Sequence, residues 1–273
     1  MIKKISILFI CILISNYSVF SQNNYLFNDK TSPIEKRVAN LLSLMTLEEK
    51  ILMLGGTGFT TQPIERLAIP SLNMADGPLG VRWDNSTAFP SGIAMSSTWD
   101  LNLINKLGIA LAEKTKAHGR HVILGPCVNI ARIPQGGRNF ESFGEDPFLT
   151  SRLGVEYIKG VQSKNVVATV KHFACNNQEH ERMFVNTIVD ERALNEIYLP
   201  AFKSAVKEAD VMAVMSAYNK LNGSYASEND YLLIKKLKEE WNFKGFVMSD
   251  WGAVHSSEAT YNSGLDIEMP TGK

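Results

Sequence analysis

The sequence predicts an α/β protein, a (β/α)8 TIM-type barrel, and three observations carry that expectation. Short apolar runs alternate with amphipathic helical segments over most of the chain. The runs are apolar on both faces, as the strands of a helix-covered parallel sheet are. Polar residues gather just past the predicted strand ends, at Asp76, Arg138, Lys171, His172, Tyr218 and Asp250, where a barrel assembles its active site from loops. An open doubly wound sheet shares the first two features. However, neither Gly55-Gly56-Thr57-Gly58 nor Gly136-Gly137 fits a glycine-rich phosphate turn.

The elements follow in order. Ser32-Pro33-Ile34-Glu35 reads as a capping box with proline at the first helical position. Ile34, Val38, Leu41, Leu42 and Met45 then share one helical face. Thr46-Leu47-Glu48-Glu49 is a second capping box, and its helix is expected to stop at Gly55-Gly56. Strands are predicted at Ser71–Ala75, His121–Leu124, Val166–Val170, Val211–Ser216, Phe246–Met248 and Leu265–Met269, with a short one at Ala88–Phe89. Helices are predicted at roughly 100–117, 148–162, 191–208 and 231–240, the last three started by Asp146-Pro147, Asp190 and Ser227.

Composition narrows the function. The chain has 273 residues, 45% of them hydrophobic, enough for one substantial core but not two large domains. Lys plus Arg and Asp plus Glu number 28 each. Without a basic field there is no argument for a nucleic-acid partner or an anionic membrane surface. Lys3 and Lys4, the apolar run Ile5 to Ile14 and the stretch Val19-Phe20-Ser21 form a secretory signal, so residues 1–21 are expected to be removed and the product to be periplasmic or extracellular. Cys11 lacks the small residues that precede a lipid-attachment cysteine, so no membrane anchor is expected. Cys127 and Cys175 are expected to be free and buried, since two cysteines do not make a disulfide framework. There is no HExxH or other zinc spacing, and no GxSxG nucleophile elbow; no metal or cofactor is implied.

"LLSLMTLEEKILML" (41–54), "MADGPLGVR" (74–82), "GPCVNIARIPQGGRNFESFGEDP" (125–147), "VVATVKHFACNNQE" (166–179), "VMSAYNKLNG" (214–223) and "GFVMSDWGAVHS" (245–256) together resemble glycoside hydrolase family 3, in its β-glucosidase and β-xylosidase type members. The resemblance runs in order from about residue 33 to the end. It implies residues 22–273 as the family's N-terminal barrel domain, incomplete at the C-terminus and without the α/β sandwich that follows in the family. It also implies a retaining exo-glycosidase acting on an oligo- or aryl-glycoside, with terminal β-glucose first and xylose next. The general acid/base, a glutamate on the later domain, is then expected to be missing. A sugar-binding remnant without catalysis is the competing expectation.

Residue by residue, "SDW" implies Asp250 as nucleophile, at the end of an apolar strand, with Trp251 beside it as an aromatic wall for a pyranose. Retention needs an ionised carboxylate for the attack, which calls for nearby cations and donors; Lys171, His172 and Arg138 are the expected suppliers. Asp76 in "ADGPLG" is implied to accept hydrogen bonds from sugar hydroxyls, although alone it reads as a turn residue. Arg138 is implied to bind sugar and also to pair with Glu141 or Glu145. Lys171 and His172 are implied to bind sugar together, which requires the backbone to bend after Val170, because neighbours on a regular strand face opposite ways. Tyr218 and Met215 are expected to line the pocket, with plain packing the equal alternative. Asp146 reads as a helix cap. "KHFACNNQEH" departs from the "KHFPGHG" typical of the family's N-acetylhexosaminidases, which points away from that branch.

Overall fold

The computed structural model describes residues 25–272; the predicted export segment lies outside them. Residues up to Lys50 form a small unit of their own and the rest a larger one. In the small unit, helix α1 (Ile34–Leu44) is anchored by Asn40, whose Oδ1 accepts from the Phe27 amide (3.1 Å). The first predicted capping box does not form, because the Ser32 hydroxyl donates to Asp29 (2.7 Å) instead. The second does form ahead of α2 (Leu47–Leu52). The Thr46 amide donates to Glu49 Oε2 (2.9 Å), and the Glu49 amide donates to Thr46 Oγ1 (3.2 Å).

The larger unit is built on five parallel strands whose spatial order matches the chain order. They are β1 (Met74–Asp76), β2 (Val122–Leu124), β3 (Val167–Phe173), β4 (Ala213–Ser216) and β5 (Phe246–Ser249). Helices α3 (Leu101–Ala117) and α4 (Pro147–Gln162) follow β1 and β2, and α5 (Pro200–Ala209) and α6 (Tyr231–Glu240, a π-helix) follow β3 and β4; α7 (Ser257–Asn262) follows β5. Leu265–Met269 forms no regular strand. It lies beside β5 through a parallel bridge between Met248 and Ile267, and Glu268 in turn bridges to Gly55. The Phe59 carbonyl accepts from the Met74 amide (2.7 Å) and Thr60 bridges to Asn73, so backbone contacts run on from β5 round to β1.

Period-2 alternation sorts the strand side chains. Met74, Val122, Leu124, Ala213, Met215 and Met248 meet Ile267 and Met269 in one buried cluster inside the curved sheet. Ala75, Ile123, Ala168, Val170, Val214 and Val247 face outward and join the helices in the main core. Gly108 on α3 and Gly160 on α4 let those helices touch. A Cβ at Gly160 would collide with the Asn105 carbonyl. This is the TIM-type arrangement that the alternation predicted.

Three further expectations change. Ala88–Phe89 is not a strand; the Phe89 amide only closes a loop onto the Leu79 carbonyl (2.9 Å). The helix expected over 191–208 breaks into a turn at Glu191–Ala193, a π turn at Leu194–Tyr198 and α5, since Pro200 brings no amide hydrogen and must open a new segment. Asn229 rather than Ser227 starts α6: its Oδ1 accepts from the Leu232 amide (3.1 Å), while Ser227 pairs with Ser216 (2.9 Å). Cys127 and Cys175 are free and buried. Asp146 caps α4 by accepting from the Leu149 amide (2.9 Å). Asp146→Ala is therefore expected to cost about 1 kcal/mol and lower Tm by roughly 2–4 °C in a chain of this size. An unchanged melting curve would remove Asp146 from the capping role.

Candidate active site

The inward-facing positions turn polar at the C-terminal ends of the strands. Asp76 ends β1, Lys171 lies near the end of β3, and Asp250 follows β5. With residues from the loops they line one cavity of about 380 Å³. All eight residues singled out in the sequence are there: Asp76, Arg138, Lys171, His172, Met215, Tyr218, Asp250 and Trp251.

Each is brought in by a local feature. After Asp76 the chain turns at Gly77, with φ +141°, where a Cβ would collide with the Gly80 carbonyl. The loop closes when the Arg82 amide donates to the Asp76 carbonyl (2.8 Å), which returns the Arg82 side chain to the Asp76 carboxylate (2.9 Å). On β3 the pairing with β4 slips between Val170 and Phe173, so one extra residue is accommodated. Lys171 and His172 thereby both face the cavity, while Phe173 goes into the outer core. The Asn129 amide continues the pairing. Its Oδ1 accepts from the His172 backbone amide (2.8 Å) and its Nδ2 donates to the His172 carbonyl (2.9 Å).

The charges form one network. Lys171, 3% exposed, donates to Asp76 (2.9 Å) and lies 3.6 Å from Glu141. Arg138 grips Glu141 with two bonds (2.7 and 3.1 Å). Burial works against ionisation of Asp76 and of Glu141. Even so, Lys171 and Arg82 hold Asp76 below the usual carboxylate range, and Arg138 and Lys171 do the same for Glu141. Asp250 behaves oppositely: burial raises its pKa, against the pull of Lys171, the Trp251 amide, Tyr218 and Arg138. The expected cationic neighbours are present, but they do not outweigh the desolvation of the buried carboxylate. Asp250 Oδ1 accepts from the Trp251 amide (2.7 Å); Oδ2 is buried with no hydrogen-bond donor. His172 Nε2 lies 3.6 Å from that oxygen, and burial, reinforced by Arg138, Lys171 and Arg182, keeps the imidazole neutral, well below its usual range.

At the mouth, Phe59 leans on Trp251 (ring centroids 4.9 Å apart) and Arg182 sits over the Tyr218 ring (4.6 Å). The Tyr218 hydroxyl donates to the Trp251 carbonyl (3.1 Å). Met215 belongs both to the barrel interior and to the cavity wall.

Phe59, Arg82, Leu124, Phe140, Glu141 and Arg182 also line the cavity. Of these, only Glu141 carried a sequence expectation, as a partner of Arg138. The described residues hold no cluster of ligands for a metal ion, and no described helix is long and apolar enough to cross a membrane.

The arrangement supplies a carboxylate with one bare oxygen, fixed cations and donors for hydroxyls, and an aromatic wall. Residues 47–270 match the glycosyl hydrolase family 3 N-terminal domain. The chain is 52% identical over 241 residues to a beta-glucosidase of Rhizobium radiobacter, covering 85% of this chain and 30% of that protein. It is 50% identical over 248 residues to thermostable beta-glucosidase B of Acetivibrio thermocellus, covering 86% and 33%. The solved structure of beta-glucosidase 3B from Thermotoga neapolitana with α-D-glucose superposes with a TM-score of 0.83 at 43% identity, covering 86% of this chain and 36% of that one. The chain thus spans about a third of the length of the curated relatives it matches. By its matched span and its barrel alike, the chain belongs to glycosyl hydrolase family 3, in that family's N-terminal domain.

Proposed function

We propose that this domain binds the terminal non-reducing β-D-glucosyl unit of an oligo- or aryl-glycoside and that Asp250 takes the sugar as a glycosyl ester. The observation that carries the reading is the bare, buried Oδ2 of Asp250 opening onto the cavity that Asp76, Arg138 and Lys171 line with charged hydrogen-bonding groups. Similarity to proteins named beta-glucosidases supports glucose as the sugar. In the step, an Asp250 oxygen bonds the anomeric carbon and the glycosidic C–O bond breaks. Its electron pair stays with the leaving oxygen, which must be protonated or already stable as an anion; water later cleaves the ester. Terminal xylosides rank second, since they offer the same ring hydroxyls. The N-terminal signal supports export of the product.

The other two carboxyls lining the cavity are poor proton donors, because Asp76 and Glu141 are both held ionised by their cations. General acid assistance is worth ~10²–10⁴-fold, so it must come from outside this cavity. The test is intact-mass analysis after incubation with a dinitrophenyl 2-deoxy-2-fluoro-β-glucoside, which needs no acid. One glycosyl label, mapped to Asp250, is expected, with negligible cellobiose hydrolysis by the same chain. Absence of the label would favour sugar binding without chemistry. Brisk cellobiose hydrolysis would mean that a proton donor does lie in this cavity.

A further inference from the structure

We propose that Asn129 is a positioning residue that fixes the His172 ring proton on Nδ1, so that a bare Nε2 faces Asp250 and the attacking oxygen is left unclamped. The argument needs only donors and acceptors of known sense. A backbone N–H can only donate and a carbonyl can only accept. The two bonds from the Asn129 amide to the His172 backbone therefore settle which atom is its oxygen: Oδ1 takes the amide hydrogen (2.8 Å) and Nδ2 serves the carbonyl (2.9 Å). That same Oδ1 lies 3.0 Å from His172 Nδ1. A bare Nδ1 would set two lone pairs against each other at that distance, so Nδ1 carries the hydrogen. The other polar neighbour of Nδ1, the Cys127 thiol at 3.9 Å, is too distant to compete and donates weakly. The imidazole is neutral, and its one N–H is already committed.

The consequence lies on the cavity side. Nε2 has no hydrogen and sits 3.6 Å from Asp250 Oδ2, which likewise has no donor. The opposite tautomer would aim an N–H at Oδ2, lower its nucleophilicity and tie it in place. Asn129 prevents this, and Nε2 is free to accept a hydrogen bond from a sugar hydroxyl. Lys171, Arg138 and Arg182 also act on this ring, all disfavouring a second proton. The inference rests on the reading of Asp250 as nucleophile only for its effect on rate; the tautomer is a separate observable.

Two-bond 15N–1H correlation spectra of the 15N-labelled chain measure it, with His172→Gln identifying the His172 signals. The expected result is a protonated Nδ1 and a bare Nε2 at neutral pH. In Asn129→Ala the proton should move to Nε2, and labelling of Asp250 by the fluoro-sugar should slow by ~10–100-fold, the scale seen when a metal-bound imidazole loses the outer partner that orients it. Asn129→Asp keeps an oxygen opposite Nδ1 and should keep the proton there. A wild-type ring protonated on Nε2, or on both nitrogens at pH 7, overturns the proposal, as does an unchanged tautomer in Asn129→Ala. Should Asn129→Ala fail to fold, the wild-type and Asn129→Asp spectra decide. The expected tautomer without any label on Asp250 would sink the glycosidase reading alone; the reversed tautomer with normal labelling would sink this inference alone.

Discussion

Asp250→Asn is expected to abolish glycosyl labelling and, in any longer form that turns over glucosides, to cut the rate by several orders of magnitude. An amide oxygen is a far weaker nucleophile than a carboxylate, so the covalent step itself is lost. The same variant should be more stable than the parent at neutral pH. Burial raises the Asp250 pKa above its unfolded value, so the fold disfavours the ionised form. That cost is absent below the unfolded pKa, where the group is protonated in both states. It grows as pH rises above the unfolded pKa and reaches its full size above the folded one. Asparagine carries no charge to desolvate. Thermal melts should show the variant above the parent at pH 7, by about 2–4 °C for each 1 kcal/mol relieved, with the gap closing toward pH 4. A variant that labels normally would remove Asp250 from the nucleophile role. One that melts lower at pH 7 would mean that the cations around Asp250 outweigh its burial.

The pairing of lost activity with gained stability distinguishes a site residue from a structural one. Lys171 and Arg138 would each lose a nearby charge in Asp250→Asn, but both keep closer partners, and Arg182, over the Tyr218 ring, has its own. Lys171 holds Asp76 at 2.9 Å, Arg138 holds Glu141 at 2.7 Å, and Arg182 holds Glu179. Removing the carboxylate therefore orphans none of them.

What was legible in the sequence was whatever a strand imposes locally. A run such as Phe246-Val247-Met248 that ends in Ser249-Asp250 fixes both the strand and the end at which the carboxylate emerges. Asp76, Lys171 and Asp250 could be placed on one face for that reason. The slip that brings His172 beside Lys171 could only be stated as a condition, because it depends on pairing with β4 and on the Asn129 side chain, 43 residues away. Arg82 stood in a recognisable stretch, yet its return to Asp76 needs the turn at Gly77. Phe59 precedes the first long strand and meets Trp251 only once the sheet has curled. Arg182 lies in an irregular segment with no periodicity to place it. The helix over 191–208 was overestimated because amphipathic spacing continues across Pro200, while the hydrogen-bond ladder does not.

Glu141 is where the largest loss of stability is expected. Its side chain is 3% exposed, holds Arg138 through two bonds and lies 3.6 Å from Lys171, itself 3% exposed. Replacing one member of such a group leaves buried charge uncompensated, which typically costs about 3–5 kcal/mol. Glu141→Ala should therefore lower Tm by roughly 10 °C. Glu141→Gln, whose amide oxygen still accepts from Arg138, should lose less. The pH dependence runs opposite to that of Asp250. Burial opposes ionisation, but Arg138 and Lys171 hold the folded pKa of Glu141 below its unfolded value of 4.5. Its contribution is therefore full above the unfolded pKa and is lost as pH falls through the folded one. The gap between parent and Glu141→Gln should be widest at neutral pH and should narrow in acid. Equal melting temperatures at pH 7 would mean that Arg138 and Lys171 are adequately balanced by Asp76 and solvent. A gap that persists undiminished into acid would mean that Glu141 acts through packing rather than charge. Glu141 holds Arg138 in place through a fork that no ligand has to supply. On the proposed reading, a terminal sugar then meets a guanidinium already positioned, rather than one it must order on binding.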